Sequence, residues 1–369
     1  MRNRLARAVT AAAAVGLIAF AVAAAAPGAG SAGMSLNTFG WSSHLAAGQV
    51  REFSANADQR VIVLLRNQHA GLAGAGAQRA RAFTADRAPI VAQLRQLHAP
   101  RIVTFHTVNA VATTVSSEEA ANLRNDPAVL AVDPDAVVKG PSTNAELLPG
   151  ATRAATASPR AAASSRTVCG SAAAPLLEPQ ALHLINADNR TNADSPITSG
   201  PKSAHSLGYT GAGVSVAVFP DGMDPNLPDF MRNGQSAVTD YQDFTGEGTS
   251  AQTGGNEAFG DVSSLVAQGN TTYNLDQEIN PDFATTGGTC DVKVLGVAPG
   301  ADVDVMKVFG NSNSSFTSVI LQGIDYAIQH DHVNILSISL GFPGLPSSAA
   351  EEPMTAILEN AIADGTVVV

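Results

Sequence analysis

The sequence predicts an α/β fold: a parallel sheet with helices on both faces, preceded by a small α+β domain. Three observations predict it. Apolar, β-branched runs alternate with helical-period segments from residue 214 to residue 369, the pattern of a sheet whose strands are joined by crossover helices. Residues 58–138 carry a shorter mixture of strand and helix patterns. Between the two, residues 139–177 are rich in Ala, Ser, Pro and Thr and poor in large apolar side chains. That composition cannot bury a core and reads as a linker.

In the 58–138 unit, Arg60–Leu65 is a short apolar strand between polar residues. Residues 78–97 place Phe83, Ile90, Leu94 and Leu97 at helical spacing. Ile102–Val115 is β-branched, with a turn expected at Asn109. Ser116 and Glu119 form a capping-box signature for a helix through Arg124, which Asp126-Pro127 ends. Val129–Val132 is the last strand. The second unit begins near Glu178. Strands are expected at 214–219, 303–308, 335–340 and from 366, with an apolar run at 292–297. Helices are expected at 257–268, 318–330 and 350–363.

The front end reads as an address. Arg2, Arg4 and Arg7 precede an apolar run from Ala8 to Ala26, and small residues follow through Ala32. This is the order of a secretory signal peptide over residues 1–32, so the mature protein is expected outside the cell with no membrane span. Export makes a disulfide between the two cysteines, Cys169 and Cys290, the expected state. The chain's net charge of −11 argues against a nucleic-acid partner. The charge is uneven: residues 1–200 hold 17 Lys and Arg against 12 Asp and Glu, and residues 201–369 hold 4 against 20.

Four segments then carry a resemblance. GAGVSVAVFPDGMD (211–224), VLGVAPGADVDVMKV (294–308), GIDYAIQHDHVNILSISLG (323–341) and ENAIADGTVVV (359–369) resemble, in order and spacing, the core of the subtilisin-like serine peptidases. RVIVLL and SSEEAANLRNDPAVLAVDPD, within 58–138, resemble that family's inhibitory propeptide. The resemblance implies a secreted zymogen. Residues 178–369 would be the N-terminal part of the peptidase domain, with a subtilisin-like but incomplete sheet. Residues 58–138 would be an inhibitor cut off in the linker. Protein or peptide substrates and the chain's own propeptide would be its partners. No cofactor is assignable, and calcium enters only through the family resemblance.

The family's catalytic order is Asp, His, Ser. Its Asp-Thr-Gly is here Pro220-Asp221-Gly222, with the acid one residue late. Alternation along a strand would point Asp221 away from the site unless the backbone adjusts at Pro220. Asp224 is another nearby acid, which the resemblance places at the family's second-acid position and which a solvated turn would equally explain. Residues 206–329 contain no histidine. In the place of the His segment stands NEAFGDVSSLVAQ, with Glu257 and Asp261 four apart and so on one helix face. This resembles the acidic helix of sedolisins, which implies Glu257 as general base and Asp261 as the residue that orients it. Gly260 departs from that pattern and weakens the helix. A carboxylate base predicts an acid pH optimum. Ser339, Leu340 and Gly341 match the strand that pairs with substrate backbone. The run ending at Val369 reads as an interrupted strand, so the sequence is expected to be a fragment. The oxyanion residue and nucleophilic Ser would lie beyond it, and the chain as given would be inert. Three rivals are a peptidase fold kept for binding, a nucleotide-binding protein built on Gly211-Ala212-Gly213, and a cell-surface adhesion module, which no repeat or anchor in the sequence supports. The second has its glycines before a strand, the wrong side for a phosphate loop.

Overall fold

The computed structural model describes residues 45–72, 74, 76–140, 170–178, 181–188, 202–249, 257–274, 290–340 and 352–369. The expected signal peptide, most of the expected linker, Cys169 and Gly341 lie outside these.

A five-stranded sheet runs in the order Val238–Asp243, Asp302–Lys307, Ser215–Val218, Ile335–Ser337, Val367–Val368. Every pairing in it is parallel. Successive residues along each strand face opposite sides of the sheet, as period two requires. Val218, Val303 and Val305 pack on Ala258, Val262 and Val266 of the helix Glu257–Val266. On the opposite face Ala217, Phe219, Met306 and Val308 share a core with Ile320, Leu321 and Ile324 of the helix Thr317–Gln329. Ile357 and Ala361 of the helix Glu352–Ala363 join the same core. The sheet is covered by helices on both faces, as the strand–helix alternation requires.

A separate four-stranded antiparallel sheet is built from Gln59–Leu65, Ile102–Thr104, Ala110–Val115 and Val129–Pro134. Val61, Val63 and Leu65 face Ile90 and Leu94 of the helix Gly76–Gln96 and Leu123 of the helix Ser117–Arg124. Ile62, Leu64, Ala110 and Ala112 face the other way, into the core shared with the 317–329 and 352–363 helices. Residues Ser42–Val369 thereby form one unit. Ser116 caps its helix by accepting from the Glu119 amide at 3.1 Å. The reciprocal arm of the expected capping box is not made: the Glu119 carboxylate receives Gln93 and Asn122 instead.

Both ends of the expected linker are in strands. Val137–Lys139 pairs antiparallel with Ser314–Phe316. Leu176–Glu178 pairs parallel with Asp291–Val294, which also takes Tyr273–Asn274. The VAPG segment closes the C-terminal end of the 257–266 helix. The amides of Val297 and Ala298 donate to the carbonyls of Ser264 and Leu265, each at 2.8 Å, supplying partners that a helix end lacks. The approach needs a glycine at 296, where a Cβ would stand 2.3 Å from the Leu265 oxygen. Among the described residues, no helix is long and apolar enough to cross a membrane.

Candidate active site

The central strand 215–218 delivers Asp221 to the C-terminal end of the parallel sheet. The backbone turns at Pro220, whose carbonyl accepts from the amides of Val308 and Phe309 at 3.0 and 3.3 Å. That turn offsets the one-residue displacement. Asp221 is fully buried, and its Oδ1 accepts the Ala258 amide at 2.9 Å, at the first turn of the 257–266 helix. First-turn amides have no partner within their own helix, and the local dipole favours an anion there. Asp221 is therefore aimed at the start of the acidic helix. Asp224 is exposed and accepts the Asn226 amide at 2.9 Å, the turn role expected of it.

Glu257 and Asp261 lie one turn apart on that helix, both half-buried. Glu257 Oε2 is buried without a hydrogen-bond partner. Burial, and then the charges of Asp261 and Asp221, push the Glu257 carboxyl up to about 8. Burial and Asp221 also raise Asp261. Desolvation and like charge act in the same direction on a carboxyl, so Glu257 and Asp261 titrate as a coupled pair. Such a shift moves the base form of Glu257 to higher pH than an ordinary glutamate's, the opposite direction to the acid optimum expected of a carboxylate base.

Among the described residues, none of the histidines flanking the histidine-free window takes the base's place. His205, outside the histidine-free window, is held at both ring nitrogens, by Asp188 at 2.9 Å and the Val297 carbonyl at 2.8 Å. His330 stacks on Tyr326 with ring centroids 4.4 Å apart. His332 Nδ1 lies 3.1 Å from the Ile328 carbonyl at the end of its helix.

Ser339 and Leu340 follow the strand 335–337, whose Ser337 is level with Val218 in the parallel register. They continue towards the same end of the sheet as Asp221. Ser339 is exposed, and Leu340 packs against the shared core. The sequence reading missed a neighbouring element. Ser314–Phe316, polar and short, forms an antiparallel pair with Val137–Lys139, and Val138 is fully buried in the shared core. The only advance signal was the β-branched pair Val137-Val138. Cys290 is buried and disulfide-bonded. Among the described residues, no three His, Cys, Asp or Glu side chains group to hold a metal ion, and no calcium ligand is assigned.

Residues 211–369 match the model of the subtilase family. This stretch resembles the subtilases. Subtilisin E of Bacillus subtilis (strain 168) is 30% identical over 169 residues, covering 44% of this chain and 35% of that protein. Subtilisin of Bacillus pumilus is 29% identical over 169 residues, covering 44% and 48%. Subtilisin Savinase of Lederbergia lenta is 31% identical over 163 residues, covering 43% and 49%. The chain thus spans between a third and a half of the length of these relatives. The matched stretch holds the whole five-stranded parallel sheet, Asp221 and the acidic helix. The antiparallel sheet and the strand Val137–Lys139 precede it.

Proposed function

We propose that the protein is a secreted serine endopeptidase zymogen that works with a carboxylate base. In this reading residues 1–32 are a signal peptide and residues 58–138 an inhibitory propeptide. Maturation cuts within 139–177, and 178–369 is peptidase domain. The observation that carries it is Glu257: a buried carboxyl oxygen without a partner, beside two further acids, at the C-terminal end of a subtilase sheet. Ionised, Glu257 accepts the proton of an attacking serine hydroxyl and returns it to the leaving amine. Asp261 and Asp221 orient it and raise its basicity. None of the described residues is assigned as nucleophile or oxyanion donor.

Two features support the remaining parts. The strand 137–139 lies antiparallel on 314–316, as a peptide substrate adds to an exposed sheet edge. Ser339, Leu340 and Gly341 would supply the second edge. The proposed Cys169–Cys290 disulfide is supported by the bonded state of Cys290 and by the Asp291 amide donating to the Gly170 carbonyl at 3.2 Å.

The test is peptide hydrolysis by the complete gene product across pH, with Glu257→Gln beside it. Activity should rise with pH through a midpoint far above an ordinary glutamate's, towards about 8, because the base form appears only as the proton leaves. Glu257→Gln should lose at least about 100-fold in kcat/KM. A gene product that binds peptides but hydrolyses none, with or without Glu257, would make the fold a binding module, as the missing histidine also allows.

A further inference from the structure

We propose that the face joining the antiparallel sheet to the 317–329 and 352–363 helices is a proton-gated clasp, shut in acid and loosened as a carboxyl and an imidazole on it lose protons. Asp133 is opposite Ile62 in the antiparallel register, so its side chain lies on the sheet face that enters the shared core. It is 2% exposed, and its Oδ2 has no hydrogen-bond partner. From the other side Glu352, the first residue of the 352–363 helix, adds a like charge, and Arg124 of its own unit compensates in part. The second group is His106. Its backbone amide donates to both carboxylate oxygens of Asp325, on the 317–329 helix, at 2.8 and 3.0 Å, and its Nδ1 lies 3.2 Å from the same carboxylate. Arg87 opposes the imidazolium.

Both groups push the same way. Burial, and then Glu352, raise Asp133 from 3.8 to about 7. A raised pKa stabilises the closed face fully below the free value, and the benefit is lost as pH climbs to the raised one. For Asp133 that window runs from about pH 4 to about pH 7. His106 is raised from 6.5, chiefly by its bond to Asp325, and continues the loss upward. The clasp's effect on activity rests on the zymogen reading. The same rise in pH that opens it also ionises Glu257, so inhibition and base chemistry would switch together. The clasp itself does not depend on that reading.

The experiment is amide hydrogen exchange on the full chain at about pH 5 and about pH 8, corrected for the intrinsic pH dependence of exchange. The reporters are the His106 and Thr107 amides, both bonded to Asp325. Protection should fall at least about tenfold between the two pH values, and Asp133→Asn should remove most of that fall. If Asp133→Asn does not fold, Glu352→Gln is read instead and should shift the fall to higher protection at pH 8. A protection that is flat or rises with pH, or a fall unchanged by either variant, overturns the clasp. Peptide hydrolysis by the complete gene product, measured in parallel, separates the two readings. A pH-gated face without inhibition would sink the propeptide assignment alone, and inhibition with a pH-insensitive face would sink the clasp alone.

Discussion

Asp133 and Asp135 are two residues apart, and each meets the start of a different helix. Asp135 is satisfied on every side. Its Oδ1 accepts the Ser318 amide and its Oδ2 the Ser318 hydroxyl, both at 2.8 Å, and Arg60 Nη2 reaches Oδ2 at 2.7 Å. Arg60 in turn lies 3.5 Å over the Phe316 ring. Asp133 meets a helix whose first residue is Glu352, and keeps a buried oxygen without a partner. The lesson is that an acid against a helix start is not stabilising by rule. At Asp135 the helix offers amides, a hydroxyl and a nearby cation, whereas at Asp133 it offers another carboxylate.

Replacing the satisfied acid is the harshest test of this contrast. Asp135→Ala leaves the buried Ser318 amide and hydroxyl unpartnered and releases Arg60. Truncating one partner of such a buried set costs about 2–4 kcal/mol. The full chain should melt several degrees lower at neutral pH, followed by circular dichroism. A loss below about 0.5 kcal/mol would mean that water serves the helix start equally well.

The reverse substitution sharpens the comparison. Asp133→Val removes a buried carboxyl that has no partner to lose and adds a residue suited to a strand. Stability should change little near pH 5, where the wild-type group holds its proton, and rise by about 1–2 kcal/mol near pH 8. Denaturant melts at the two pH values check it. A variant less stable than wild type at pH 8 would show that Asp133 has a compensating partner.

How far the sequence revealed these places depends on whether the signal was local. The strand 215–218 and the helix 317–329 were legible because their apolar periodicity is set by a sheet covered on both faces. The strand Val238–Asp243 was not read. It is a sheet edge of sequence VTDYQD, half-exposed after its first valine, with no apolar run to betray it. Glu257 and Asp261 were singled out by their spacing together with their place where the family's histidine segment would stand. The orientation of Asp221 was not, because it is set by amides of Val308 and Phe309 that grip Pro220 from a different strand. Asp133 and Glu352 are far apart in sequence, and neither is unusual in its own segment.

A smaller change serves as a control on the contrast. Gly260 lies inside the 257–266 helix, and a Cβ there meets nothing within 4 Å. Gly260→Ala should add about 0.5–1 kcal/mol by reducing the freedom of the unfolded chain. It sits on the opposite side of the sheet from Asp133, so the melting midpoint should rise equally at pH 5 and pH 8. An effect that differed between the two pH values would tie the acidic helix to the clasp and make the two regions one titrating system.

The smallest expected effect is at His106, and its size follows from exposure. The imidazole is 59% exposed while its partner Asp325 is 11% exposed, so solvent screens much of the ion pair and its contribution stays below about 1 kcal/mol. The backbone amides of His106 and Thr107 already serve Asp325, and they survive His106→Gln. The carboxylate therefore keeps its main partners, and only the charge is lost. Wild type and variant should differ most in acid, where the wild-type imidazole holds its proton, and the difference should shrink as pH rises. Equal stability at every pH would assign the hold on Asp325 to the backbone alone, leaving Asp133 as the single proton-sensitive group on this face.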